Sequence, residues 1–379
     1  MKPKLIFDKV KIKWLVIFML ISGCVEQIDF AVPGAQFFTV IDGFISDNPG
    51  PYTISISKGF SLNADSLIRT PVENAKVTLF ADGGVEESFI EKEPGIYITG
   101  GIIRGQVGNS YHIRVETSDG NIFESEPDKL SPVGELEEIR YEFEARTRVE
   151  PFGEIAANVF NIYVDADAGS GSENFVRWKF KGTYKVITHP ALHYTWVPPY
   201  TPYKNPFPCS GYILVNGPAG SGGLLEQIGD CTCCECWAAH YEPSPQLSDT
   251  QLISNNQFKN IKVGEVPISN ATLNDKYLVE VEQMSLSRKT FDFFRLVRTQ
   301  KESSSSLFQP PSGEIRGNIK SLNSSNQVIG IFWATSLKKK SIFIYPTDVP
   351  YPLVPMDFIT TPCYNSYPNA STTKPELWQ

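Results

Sequence analysis

Histidine is scarce in this 379-residue chain, which has only His112, His189, His193 and His240. Few groups can therefore exchange protons near neutral pH. The G-x-S-x-G elbow, the H-E-x-x-H helix and the G-x-x-x-x-G-K-[ST] phosphate loop are all missing. Their absence removes the usual signatures of serine hydrolases, zinc proteases and nucleoside triphosphatases. No catalytic residue and no cofactor is assigned from the sequence. Positive charge is also in deficit, with 34 Lys and Arg against 42 Asp and Glu. That balance excludes nucleic acid as a partner, because phosphate contacts need clustered cations. No apolar run is long enough to cross a bilayer as a helix. The longest, Trp14 to Gly23, has ten residues where about twenty are needed.

That short run is informative in its setting. Five lysines precede it within thirteen residues, and Ile21-Ser22-Gly23-Cys24 follows. A basic region, a short apolar core and small residues before a cysteine form the pattern of a lipoprotein signal peptide. Residues 1–23 are read as that signal, Cys24 as the acylated residue and 24–36 as a tether, so a lipid would anchor the chain. An ordinary secretory signal with an incidental Cys24 is the alternative. The segment carries five lysines and one aspartate, so a chain starting at Cys24 has a net charge of −12. Electrostatic adhesion to anionic lipid is then disfavoured.

Beyond the tether, 28 Gly, 28 Pro, 24 Phe and 16 Tyr accompany short segments of alternating polarity. "TISIS" (53–57), "AKVTLF" (75–80) and "SYHIRVET" (110–117) place apolar side chains at every second residue, between turns such as "DNPGP" and "SDGN". Period two puts one face of a strand in a core. The fold class is therefore mainly all-β. Residues 37–132 read as an immunoglobulin- or transthyretin-like sandwich, and 133–379 as a larger antiparallel β-rich domain. In the latter, Val176, Trp178 and Phe180 alternate with Arg177, Lys179 and Lys181. One amphipathic helix is expected over "SLSRKTFDFFRLVRTQKES", with Ser287 as N-cap and Phe291, Phe294 and Val297 facing the core.

An insertion rich in Pro, Tyr and Cys spans 188–236. Its aromatic residues Tyr194, Trp196, Tyr200, Tyr203, Phe207 and Tyr212 are interleaved with prolines, which stiffen a loop and lower the ordering cost of binding. They are candidate contacts for a partner or for a glycan or peptide ligand, the alternative being rings folded back onto the domain. His189 and His193 lie four apart in a Pro-rich loop, where spacing alone does not bring them together for a metal. Asp165 and Asp167 begin a loop like a calcium site but lack the remaining ligands of an EF-hand, so a polar hairpin turn is favoured. "DSL" (65–67) matches a short O-glycosylation motif at Ser66.

"VIDGFISDNPGPYTISISKGF" (40–60), "NFVRW" (174–178), "CW" (236–237), "YLVEVEQMSLSRKTFDFF" (277–294), "SLFQPPSGEIRGNI" (306–319), "VIGIFWATS" (328–336) and "KPELW" occur in this order. Together they resemble a family of Bacteroidota lipoproteins, domain of unknown function 4249. The resemblance implies an outer-membrane, cell-surface lipoprotein. It also implies a place near TonB-dependent receptors, and hence an accessory role in nutrient uptake. It carries over no catalytic residue. Competing expectations are a surface enzyme acting on glycans through paired carboxylates, and a structural or adhesive surface protein.

The cysteines of "CTCCECW" (231–237) are denser than the family pattern. With Cys24 acylated, Cys209, Cys231, Cys233, Cys234, Cys236 and Cys363 remain. An even number outside the cytoplasm points to disulfides. Adjacent cysteines such as Cys233 and Cys234 rarely bond each other. The cluster is therefore expected to reach outward to Cys209 and Cys363, with one internal bond such as Cys231–Cys234. The sequence leaves all 15 connectivities open, and thiolate coordination of zinc is the alternative.

Overall fold

The computed structural model describes residues 37–63, 66–151, 153–169, 175–197, 201–215, 223–248, 253–304, 317–323, 327–355, 358–367 and 369–378. The signal segment, Cys24 and the tether lie outside these residues. Ser66 opens a strand, but its side chain is also outside them.

The alternating segments form β1 (Phe37–Ser46), β2 (Thr53–Asn63), β3 (Ser66–Pro71), β4 (Lys76–Ala81), β5 (Val85–Glu93), β6 (Ile96–Thr99), β7 (Ser110–Glu116), β8 (Ile122–Ser125) and β9 (Asp128–Lys129). In β7, Tyr111, Ile113 and Val115 point inward while their neighbours stay half-exposed. Two late strands, β24 (Ile319–Ser321) and β25 (Gln327–Thr335), join the same sheet. Its order is β24-β8-β7-β4-β5-β6-β2-β1-β25, with β3 on β2 and β9 on β7. The segment 37–132 thus supplies most, but not all, of the N-terminal sheet. The physical reason is the sheet's open edges. β25 pairs in parallel with β1, from Phe38↔Gln327 to Ser46↔Thr335, and covers an edge that would otherwise be bare.

The eleven strands form one continuous sheet that curls into a nearly closed barrel. At the seam the Asn318 amide donates to the Phe332 carbonyl (2.7 Å) and accepts from the Phe332 N–H (3.0 Å), in the manner of a ladder pair. Gly330 sits at φ +131°, where an added Cβ would lie 1.9 Å from the Ile41 carbonyl oxygen. Only glycine allows the backbones to approach that closely.

The second part is a sandwich. One sheet runs β10 (Leu136–Glu144), β13 (Val159–Asp167), β22 (Gln257–Pro267), β21 (Ile253–Ser254), and a small hairpin joins β11 (Thr147–Glu150) to β12 (Gly153–Ala156). The other runs β26 (Leu337–Ile344), β23 (Tyr277–Ser285), β14 (Val176–Ile187), β19 (Glu235–Tyr241), β27 (Ala370–Ser371), with β20 (Gln246–Leu247) on β14. Between them Ile162, Val164, Trp178, Phe180, Val263 and Val281 are buried. Trp178 Nε1 donates to Gln283 Oε1 (2.7 Å), and Gln283 Nε2 donates to the Gly134 carbonyl (2.9 Å). The buried indole N–H and amide are thereby satisfied.

Helix α1 (Arg288–Ser304) closes the joint between the two parts. Its Phe291 and Phe294 pack with Leu286, Ile331 and Trp333 in a third core. Ser287 Oγ accepts the Thr290 N–H (3.3 Å), as a cap should. Asp128 binds the same joint, accepting from Ser287 Oγ, Thr290 Oγ1 and the Ala334 N–H (3.0 Å). Burial pushes its carboxyl above the ordinary value, against the pull of Ser287, the Ala334 N–H and Thr290.

Candidate functional site

Past the end of β14 the chain leaves the sheet and builds a knob. Two backbone bonds fix its departure: Thr188 N–H to the Cys234 carbonyl (2.8 Å) and His189 N–H to the Ile359 carbonyl (2.7 Å). Two short hairpins follow, β15 (Tyr194–Val197) with β16 (Thr201–Lys204), and β17 (Tyr212–Val215) with β18 (Leu224–Gln227). Between them Gly211 adopts the left-handed conformation (φ 75°), and a Cβ there would meet the Gly229 carbonyl at 2.3 Å.

Disulfides hold the knob together. Cys209 pairs with Cys233, Cys231 with Cys234, and Cys236 with Cys363, at Cα separations of 5.7, 5.7 and 5.8 Å. One bond is internal to the cluster. The others reach to Cys209 across the aromatic insertion and to Cys363, in α2 (Cys363–Ser366). A disulfide crosses well over 2 kcal/mol of chain entropy when the loop is long, by the loop-closure relation. The 127-residue separation of Cys236 and Cys363 makes that bond the strongest constraint of the three. All six thiols are consumed, so the C-x-x-C spacings do not present thiolates to a zinc ion.

The aromatic residues separate into two groups. Tyr194 and Trp196 lie on one face of the β15–β16 hairpin and are 47 % and 66 % exposed. Tyr203, on the opposite face, is half-buried, as are Phe207 and Tyr212. Phe207 packs against the His193 ring at 4.6 Å, and the Tyr212 hydroxyl donates to Gln227 Oε1 (3.4 Å). Tyr200 lies outside the described residues. Some rings of the insertion are therefore folded back and others displayed.

The tail brings two more exposed rings to the insertion: Tyr364 (48 % exposed), whose hydroxyl points to Cys209 Sγ, and Phe358 (71 %). Beside the knob is a cavity of about 330 Å³, walled by Lys185, His189, Asn270, Asn274, Phe358 and Tyr367. Phe358 stacks edge-on against His189 at 4.6 Å. Sequence reasoning missed this cavity because its walls come from three distant segments. The available hint was the expectation that the cysteine cluster reaches Cys363, which the Cys236–Cys363 bond does, carrying the tail to the insertion.

The weaker candidates have other partners. His189 and His193 each stack on a different phenyl ring rather than facing one another. Asp165 faces cations: Arg140 Nη1 at 3.1 Å and Lys259 at 3.4 Å, with the Asn260 N–H at 2.8 Å. Its carboxyl is pushed up by burial, but the Asn260 N–H, Arg140 and Lys259 outweigh that and hold it low. Asp167 accepts from the Gly169 N–H and the Asn256 amide, which is turn scaffolding. Both oxygens of Asp165 and Oδ1 of Asp167 thus have protein partners. Among the described residues no group of three or more His, Cys, Asp or Glu is arranged to hold a metal ion. No described helix is long and apolar enough to cross a membrane.

No curated protein matches the chain, and no solved structure does. Residues 25–341 match a family described as Domain of unknown function (DUF4249), a span that includes the barrel and most of the sandwich but ends within β26 and stops short of Cys363. The chain belongs to that family.

Proposed function

We propose that this protein is an outer-membrane, cell-surface lipoprotein, acylated at Cys24, which serves as a non-catalytic accessory of a TonB-dependent uptake receptor. The observation that carries the reading is the knob. A disulfide-tied scaffold displays Tyr194 and Trp196 to solvent. Aromatic residues on a rigid support contribute contact area at low entropic cost, which suits them to a receptor barrel or to the glycan or peptide it imports. The basic, short-cored, cysteine-ended N-terminus supports the lipid anchor.

Co-purification from detergent-solubilised outer membranes tests the partnership. The tagged native lipoprotein should bring down one barrel receptor in fixed ratio, and Tyr194→Ala with Trp196→Ala should lose it. Absence of any barrel from the native preparation refutes the reading. A Cys24→Ser chain should fail to incorporate labelled palmitate and should leave the membrane fraction; retention of label would refute the anchor.

A further inference from the structure

A second cleft opens where β19 and β22 pass each other. It has a volume of about 340 Å³, inside the ~300–1,000 Å³ range of small-ligand sites. Phe180, itself fully buried, lies at its base, and its walls include His240, Tyr241, Glu242, Pro243, Gln246, Lys262, Glu265 and Pro267. Two backbone features shape it. A register shift between Ile162↔Gly264 and Tyr163↔Lys262 leaves Val263 as a bulged, fully buried residue. Bulges re-aim the side chains beside them. Gly264 then lies directly against Phe180, where a Cβ would come within 2.6 Å of the ring.

The charges of the cleft are already matched. Glu242 accepts from Arg177 Nη2 (3.2 Å) and from the Phe180 N–H (3.0 Å). Glu265 is gripped by Arg146 (2.9 and 3.0 Å) and by Lys262, and Arg146 also pairs with Glu144. Three carboxylates therefore balance three cations, and an ionic ligand would find no uncompensated charge. Acceptor capacity nevertheless remains, because each carboxylate oxygen has more than one lone pair. Gln246 donates its amide N–H to the Ser244 carbonyl (3.2 Å), and no partner of its Oε1 acceptor is seen among the described residues. His240 Nδ1 shares a hydrogen bond with the Tyr277 hydroxyl (3.3 Å), and no partner of Nε2 is seen among the described residues. Burial holds the His240 ring below its ordinary pKa, with Glu265 opposing, so the imidazole is neutral at pH 7.

A ligand suited to this site brings donors without charge and an apolar face for Tyr241 and the edges of Pro243 and Pro267. We infer that the cleft is a binding site for a hydroxyl-rich, uncharged ring, a monosaccharide unit. The site is built for binding rather than cleavage. Glycosidic hydrolysis needs one carboxylic acid held protonated. Burial of Glu265 favours that form, but Arg146 and Lys262 outweigh it and keep the group low. The inference rests on the cleft alone and is independent of what the knob contacts.

Saturation-transfer NMR on the full chain tests it, with the methyl glycosides of glucose, galactose and mannose as probes and methylammonium and acetate as controls. At least one glycoside should saturate while neither ion does. Lys262→Trp, on the exposed rim, should block the mouth. His240→Gln, which keeps a group able to bond Tyr277, should weaken binding by about tenfold, the value of one hydrogen bond to a buried site. Tyr194→Ala with Trp196→Ala should leave glycoside binding intact, which separates this site from the knob. Three results overturn the inference: saturation of no glycoside, saturation by methylammonium or acetate instead, or glycoside binding indifferent to both cleft variants.

Discussion

Nineteen buried apolar residues fill the N-terminal barrel, whereas the core beneath the knob holds four, two of which are the partners of a single disulfide. Both regions are β-structure in one chain, yet they are stabilised on opposite sides of the folding equilibrium. The barrel gains from apolar surface removed from water in the native state. The knob gains mainly because its bonds restrict the unfolded chain. A region ordered in the second way need not hide its apolar rings, which explains why Tyr194, Trp196, Tyr364 and Phe358 can all remain in view.

The largest expected effect falls on the barrel. Phe332→Ala, at a residue 1 % exposed, should cost about 3–5 kcal/mol, measured by chemical denaturation, with the three disulfides still formed. Next comes the bond across 127 residues. Cys236→Ser with Cys363→Ser should cost about 2–5 kcal/mol, and limited proteolysis should cut the knob and tail first while the barrel stays protected. Equal cutting in both regions would show that the two are not separately stabilised.

Acid sharpens the contrast further. Lys320 and Lys289 hold the Glu126 carboxyl at about 2, below its ordinary 4.5. A depressed folded-state value means the stabilisation is present above pH 4.5 and is lost as pH falls toward 2. Glu126 joins barrel strand β24 to α1 through Lys320 and Lys289, so acid titration should weaken this joint. A Glu126→Gln chain should lose less stability over that interval than the native one. The smallest effect belongs to the displayed ring: Trp196→Ala should change stability by less than about 0.5 kcal/mol, because the indole is 66 % exposed.

How much of this was legible depends on the range of the forces involved. β7, β14 and α1 announced themselves, since alternation and helical spacing are written in consecutive residues. The cap at Ser287 was likewise local. The division of "QVIGIFWATSLKKKSIFI" between two sheets was not. β25 enters the barrel and β26 the sandwich, and the switch at Ser336 is fixed by Asp47, which accepts from the Ser336 hydroxyl and the Leu337 N–H. In the knob, cysteine chemistry limited the pairing while the exposure of individual rings stayed hidden, because burial depends on what the tail covers. The cleft at Phe180, His240 and Glu265 left no sequence mark, as its walls meet only through the packing of two sheets.

The parallel pairing of β1 with β25 also has a consequence in time. The hydrogen bond from Ser336 to Asp47 spans 289 residues. At about 5–20 residues per second of synthesis, the partner of β1 emerges roughly 15–60 s after β1 itself. Throughout that delay the first strand shows a bare edge to every other nascent copy. The hazard in making this protein therefore lies in waiting, and a chain cut short before β25 is the form expected to accumulate in aggregates.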